Sequence, residues 1–356
     1  MHKIILDTDP GVDDAMAIAY AFCHPDIQLL GLTTVFGNTN IDFATRNAMF
    51  ILDQLGALDV AVAKGAAVPS IRPPQPPADF VHGADGIGNQ YPGSTVDVPA
   101  AQAAALNPAA RHANIETLDA ADFIIESARQ APGEISLVAV GPLTNIAEAL
   151  RREPQLPSLL RQLVVMGGTV DEPGNVSPVA EANFLNDPHA ADTVFAADWP
   201  ATIVGLDVTH RIMIGDSHLD RLGSDAGQTG QLIRLSSRFY VDFYTEAGAA
   251  ADAHDAGEEP QCAMHDAAAI ACVLLPDAFS TVAGPARVIS EGVAIGQLAL
   301  DRKGYRYALP HWQDLPATKV CMAVDAPRVL NHFLDTLIVI IGPEGRSPAC
   351  SMTCDF

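Results

Sequence analysis

The sequence predicts an α/β fold: an open, mostly parallel sheet flanked by helices, with a small antiparallel hairpin near the C-terminus. Three observations carry this expectation. Short apolar runs, most ending in Gly, Thr, Asn or Asp, alternate with Ala-rich helical patterns along the chain. Four carboxylates, Asp7, Asp9, Asp13 and Asp14, crowd the point where the first apolar run hands over to the first helical one. One late stretch switches to β-branched alternation around turn residues. Alternating strand and helix signals of this kind build βαβ units and a Rossmann-like sheet.

The elements follow in order. Ile4, Ile5 and Leu6 read as a buried strand, and AMAIAYAF as a buried helix. QLLGLTTV and DVAVAKG are strand-like, with the helical pattern FATRNAMFILDQLGA between them. PSIRPPQPPADFVHGADGIG is rich first in Pro and then in Gly, a surface-loop composition. DAADFIIESARQA is helical, and ISLVAVG, LVVMGG and ATIVGLD are further strand-like runs. AGAAADAHDAGEEPQ is small, acidic and without apolar period, so it reads as a loop. ARVISEGVAIGQLALDRKGY is the hairpin, KVCMAVD a last strand and HFLDTLIVII a closing helix. Residues 1–341 therefore read as a single domain and 342–356 as a polar tail.

Composition narrows the function. The formal charge of −23 argues against nucleic-acid polymers and anionic membranes as partners. It suits a neutral or cationic small molecule better than a phosphorylated one. Six cysteines in 356 residues make no disulfide framework, and no CxxC pair suggests zinc. Cys23, Cys262, Cys272 and Cys321 lie in or beside apolar runs and read as buried thiols, whereas Cys350 and Cys354 sit in the tail. With no signal-like leader and no apolar run of spanning length, a soluble cytoplasmic protein is expected.

The crowded aspartates point to chemistry. Carboxylates this close repel one another unless something positive shares the site, and a hard cation such as Ca²⁺ or Mg²⁺ prefers oxygen ligands. Helix capping accounts for Asp13 or Asp14 but not for Asp7 and Asp9 as well. A second cluster, MGGTVDEPGNVSPVAEANFLNDP, places Asn175, Glu181, Asn183, Asn186 and Asp187 after a strand. Amides beside carboxylates both donate to and accept from hydroxyl groups, which suits a sugar. Alone, this cluster is better explained by turn chemistry; beside the acid cluster in an alternating α/β chain, the binding-site reading is favoured. His265 and Asp266 stand where a loop enters an apolar helix, either as cap and structural ring or as proton-handling group and ligand. Thr144 and Asn145 of GPLTN are a helix cap or a metal-site oxygen, and His82 and Asp85 of VHGADGIG belong to a lid turn or a surface turn.

Together these motifs resemble the inosine–uridine-preferring nucleoside hydrolases. DTDPGVDD, VFGN with Asn38, GPLTN, and the ordered set MGG, GN, AE, N and DP from Met166 to Asp187 all match. So do GLDVTH and the HD pair of His265 and Asp266. The resemblance runs from the first strand to the final helix. It implies that Asp9, Asp14 and Asp266 hold a Ca²⁺, with the backbone oxygen of Thr144 as a further ligand. It further implies that Asp9 is the general base acting on water at the metal, and that Asp13 and Asn38 bind ribose hydroxyls. Asn175, Glu181 and Asn183 are then expected to hold the remaining hydroxyls, with Met166 at a pocket position. His265 is expected to assist the departing base, Tyr244 to lie near it, and His82 to sit in the substrate pocket. The implied function is hydrolysis of ribonucleosides in nucleoside salvage, by a homodimer or homotetramer.

Two departures from the family pattern stand out. Ala182 occupies a position that is usually aromatic, and Gly248 replaces a second Tyr found in some members. Two rival readings remain at this point: a nucleoside-binding sensor without turnover, and a phosphohydrolase using a strand-end Asp as nucleophile. The latter needs a downstream Lys, and Lys is rare here.

Overall fold

The computed structural model describes residues 1–91, 117–246 and 259–341. The tail after residue 341, with Cys350 and Cys354, and Gly248 lie outside the described residues. The strands are β1 (His2–Thr8), β2 (Ile27–Thr34), β3 (Ala61–Lys64), β4 (Ile135–Ala139), β5 (Gln162–Met166), β6 (Ala201–Val204), β7 (Met213–Gly215), β8 (Gln261–Ala263), β9 (Phe279–Val288), β10 (Leu298–Leu300) and β11 (Ala317–Val324). The first helices are α1 (Val12–Cys23), α2 (Ile41–Leu55), the single turn α3 (Asp79–His82), α4 (Ala120–Gln130), α5 (Thr144–Arg152) and α6 (Leu156–Leu159). They are followed by α7 (Ala182–Asn186), α8 (Pro188–Phe195), α9 (Leu206–Thr209), α10 (Asp216–Asp225), α11 (Gly227–Glu246), α12 (His265–Leu274) and α13 (Ala326–Ile341).

Nine strands form one sheet in the order β10-β9-β11-β6-β5-β4-β1-β2-β3. From β3 to β11 all neighbours are parallel, and β9 and β10 complete that edge antiparallel. The parallel sheet with a late antiparallel pair is what the sequence predicts. Its period-two alternation is visible in the core. Ile4, Leu6, Val138 and Val164 face one layer of helices, while Ile5, Leu137, Ala139 and Val165 face the other. Burial on both faces explains why these strands read as unbroken apolar runs.

Two details differ from the sequence reading. The predicted hairpin begins earlier, because β9 starts at Phe279; Gly284 and Pro285 interrupt the apolar alternation there and hide it. A separate antiparallel pair, β7 with β8, is three residues per strand and too short to leave a periodic signal. Gln261, the last residue of the stretch read as an acidic loop, begins β8. Cys23, Cys262, Cys272 and Cys321 are buried free thiols as expected. No helix among the described residues is long and apolar enough to cross a membrane.

The strand order positions the site. After β3 the chain returns to the middle of the sheet and lays β4 on the other side of β1. At such a switch point the connections leave in opposite directions and open a crevice beyond the strands' carboxyl ends. The segments after β1 and β4 carry DTDPGVDD and GPLTN.

Candidate active site

Asp9 lies just beyond β1 and is fully buried. Its Oδ2 accepts from the backbone N–H of Asn38 at 2.7 Å, and its Oδ1 has no hydrogen-bond partner. Gly37 of VFGN and Gly141 of GPLTN press against it from the two neighbouring connections. A Cβ on Gly141 would stand 2.6 Å from Asp9 Oδ1, and one on Gly37 would overlap Oδ2. The two motif glycines therefore exist to admit this carboxylate.

Asp13 and Asp14 follow in the first turn of α1. Asp14 accepts from the Thr8 hydroxyl, from the Gly11 N–H at 2.7 Å and from the Asn38 amide at 3.1 Å. Asp266, at the start of α12, hydrogen-bonds Asp14. Burial, and then the neighbouring carboxylates, hold Asp9 and Asp266 well above the ordinary aspartate range. Burial and the Asp14 charge push Asp13 up to about 8. No Lys or Arg among the described residues pairs with any of the four. One oxygen each from Asp13, Asp14 and Asp266 lies within 4.8 Å of the others. With Asp9 Oδ1 and Asp13 Oδ1 orphaned in a buried, all-oxygen cluster, the residues fit a hard divalent cation.

Of these acids, Asp13 and Asp266 line a cavity of about 410 Å³ together with Asn38. Glu181 caps α7, accepting from Asn183 N–H at 2.8 Å and Gly168 N–H at 2.8 Å. The Asn183 amide donates to the carbonyls of Val140 at 2.9 Å and Met166 at 3.2 Å. Asn175 Oδ1 accepts from Ala182 N–H at 3.1 Å. Val140, Met166, Asn175, Glu181, Ala182 and Asn183 line the same cavity as Asp13 and Asp266, whereas Asn186 and Asp187 of the second cluster do not.

The same cavity also has an aromatic lining. His82, Tyr244 and His265 line it together with Phe80, Tyr240 and Phe243. His82 accepts from Val12 N–H through Nδ1 at 3.2 Å, and burial pushes its pKa down to about 4. Its Nδ1 stands 4.0 Å from Asp13 Oδ1, but a neutral ring with that nitrogen already accepting forms no ion pair. His265 is also held well below the usual histidine range, by burial and then by His210 and His82. Tyr244 hydroxyl lies 2.7 Å from its Nε2 and Thr209 Oγ1 lies 2.7 Å from its Nδ1.

Three residues take structural places. Thr144 does not line the cavity; it is the first residue of α5, and its hydroxyl donates to Asp187 at 2.8 Å. The carbonyl that the end of β4 presents beside the cavity is Val140's. Asp187 also accepts from Ser70 N–H at 2.7 Å and so ties three segments together. Asp85 accepts from the N–H groups of Ile87, Asn89 and Tyr91, at 2.9, 2.8 and 2.7 Å, and staples its own turn.

Residues 4–331 match the family described as inosine-uridine preferring nucleoside hydrolase. The chain belongs to that family. This nucleoside hydrolase is 37% identical over 338 residues to "Probable uridine nucleosidase 2" of Arabidopsis thaliana, covering 94% of this chain and 97% of that one. It is 36% identical over 344 residues to the inosine-uridine preferring nucleoside hydrolase of Leishmania major, covering 96% and 99%. Among solved structures, a plant nucleoside hydrolase superposes with a TM-score of 0.82 at 32% identity, covering 95% of this chain and 99% of that one. The purine-preferring ribonucleoside hydrolase of Gardnerella vaginalis does so at 0.80 and 30%, covering 95% and 98%. The chain is thus a hydrolase acting on N-glycosyl bonds.

Within this nucleoside hydrolase, sequence reasoning missed Tyr240 and Thr209. Tyr240 hydrogen-bonds Tyr244 one turn away on α11. The i, i+4 spacing in YVDFY places both rings on one helix face and was the available signal. Ala182, the family departure, lines the cavity directly.

Proposed function

We propose that this enzyme hydrolyses the N-glycosidic bond of ribonucleosides to free base and ribose, using Ca²⁺. The observation that carries the reading is the cavity's mixed lining: carboxylates and amides share one space with aromatic rings and histidines, a combination suited to one nucleoside. Asp9, Asp14 and Asp266 would hold the cation, with a backbone oxygen from Val140 rather than Thr144. Bound there, a divalent ion lowers the pKa of water, orients it and keeps the aspartates ionised.

The chain's own groups do the rest. Asp13, Asn38, Asn175, Glu181 and Asn183 grip ribose hydroxyls and fix the ring; such positioning is worth about 7–11 kcal/mol of barrier in favourable cases. Asp9 receives the proton of the water that attacks C1′. The buried carboxylates stabilise the positive charge that grows on the sugar as the C1′–N bond breaks. The electron pair of that bond leaves with the base, whose developing charge meets the Tyr244–His265 pair.

The test is a panel of ribonucleosides and deoxyribonucleosides, assayed for free base and reducing sugar with and without a chelator. Inosine and uridine are expected to be cleaved, deoxyribonucleosides poorly, and the chelator to stop the reaction until Ca²⁺ is restored. Binding without base release would mark a sensor. His265→Ala is expected to slow inosine about 10²-fold or more while an aryl riboside with an activated leaving group loses far less. Equal losses on the two substrates would remove His265 from leaving-group chemistry.

A further inference from the structure

Thr209 closes the one-turn helix α9 and is fully buried. Its hydroxyl has one side-chain contact among the described residues, His265 Nδ1 at 2.7 Å. A neutral imidazole carries one N–H, so one ring nitrogen donates and the other accepts. If Thr209 accepted Nδ1–H, its own O–H would be a buried donor without an acceptor, which folded proteins avoid. Donation from Thr209 to Nδ1 leaves nothing unmatched and puts the ring proton on Nε2.

The consequence passes to Tyr244. Its oxygen, 2.7 Å from Nε2, then accepts from the ring. An oxygen that accepts from the ring keeps its own O–H for another partner, and Tyr244 lines the cavity. We propose that Thr209 is a positioning residue that fixes the His265 tautomer and thereby turns the Tyr244 O–H toward the departing base. The hydrogen bond it provides stabilises the negative charge that gathers on the base as the C1′–N pair departs. This rests on the nucleoside-hydrolysing reading of the cavity.

The test compares wild type, Thr209→Val and Thr209→Ser on inosine and on p-nitrophenyl β-D-riboside, whose nitrophenolate leaves without such help. Thr209→Val is expected to lose about tenfold or more in kcat on inosine relative to its loss on the aryl riboside. Thr209→Ser is expected to recover inosine turnover to within about threefold of wild type, since it keeps the hydroxyl. In parallel, long-range ¹H–¹⁵N spectra of ¹⁵N-histidine-labelled wild type, with the His265 signals identified by their loss in His265→Gln, should show the proton on Nε2. A proton on Nδ1, equal losses on both substrates, or a serine variant as impaired as the valine one would each overturn the proposal. The spectrum decides it even if Thr209→Val fails to fold. Wild type that cleaves neither substrate would instead overturn the reading of the cavity, and the ring tautomer would still be measured.

Discussion

Asp9→Asn is expected to abolish turnover while leaving the fold and ribose binding in place. The substitution keeps size and shape, so Gly37 and Gly141 still admit the side chain, and an amide oxygen can still accept from Asn38 N–H. What disappears is the basic oxygen, now Oδ1, that no other group engages. Loss of a general base costs about 10²–10⁴-fold, and removing a cation ligand adds to that. Asp13, Asp14 and Asp266 remain within 4.8 Å of one another, so a weakened cation seat persists. The measurement is kcat on inosine beside calorimetric binding of ribose and the circular dichroism spectrum. Turnover near wild type would remove Asp9 as the base.

The second large effect is on stability, and its sign changes with the cation. Burial raises Asp7 to about 7, burial and Asp14 raise Asp13 to about 8, and Asp9 and Asp266 lie well above the ordinary range. A carboxyl whose pKa is higher folded than unfolded stabilises the fold when protonated, and that contribution is lost as pH rises through the folded value. His82, pushed down to about 4, and His265 act oppositely, but their contribution is complete above the free histidine value of 6.5. Between about pH 6.5 and 8 the acids therefore dominate. Chelated protein is expected to lose about 2 kcal/mol per retained proton across that interval. A cation binds the ionised form, so added Ca²⁺ should raise the melting temperature most at the alkaline end. Melting curves of chelated and Ca²⁺-loaded protein across this range check it. A chelated protein that gains stability with pH, or a Ca²⁺ shift that shrinks with pH, would contradict the acid cluster as the cation's seat.

Much of the site was legible in the sequence for a physical reason. The aspartates of DTDPGVDD are contiguous, and a strand-to-helix handover leaves their side chains little choice of where to go. Glu181 and Asn183 were legible as residue types suited to hydroxyl groups, but only the sheet order, with β4 between β5 and β1, brings their segment into the same cavity as Asp13. Thr144 begins α5 with its hydroxyl on Asp187, a placement that the GPLTN motif alone does not give. Thr209 and Tyr240 left weaker signals still: Thr209 touches His265 rather than the cavity, and Tyr240 is one of several aromatic residues on α11. The fold was legible where parallel strands are doubly buried, and obscure in β7 and β8, whose three residues each are held by their surroundings.

Asp14 and Asp266 stand far apart in the chain, and they meet because α12 packs on α1. Contacts between residues so far apart form late in folding, once the intervening sheet has closed the distance. A chain that has emerged only through β6 has Asp9, Asp13 and Asp14 but lacks Asp266. On the proposed reading, full cation affinity would report completed assembly, and a product truncated before α12 would bind the ion more weakly even with every N-terminal carboxylate intact.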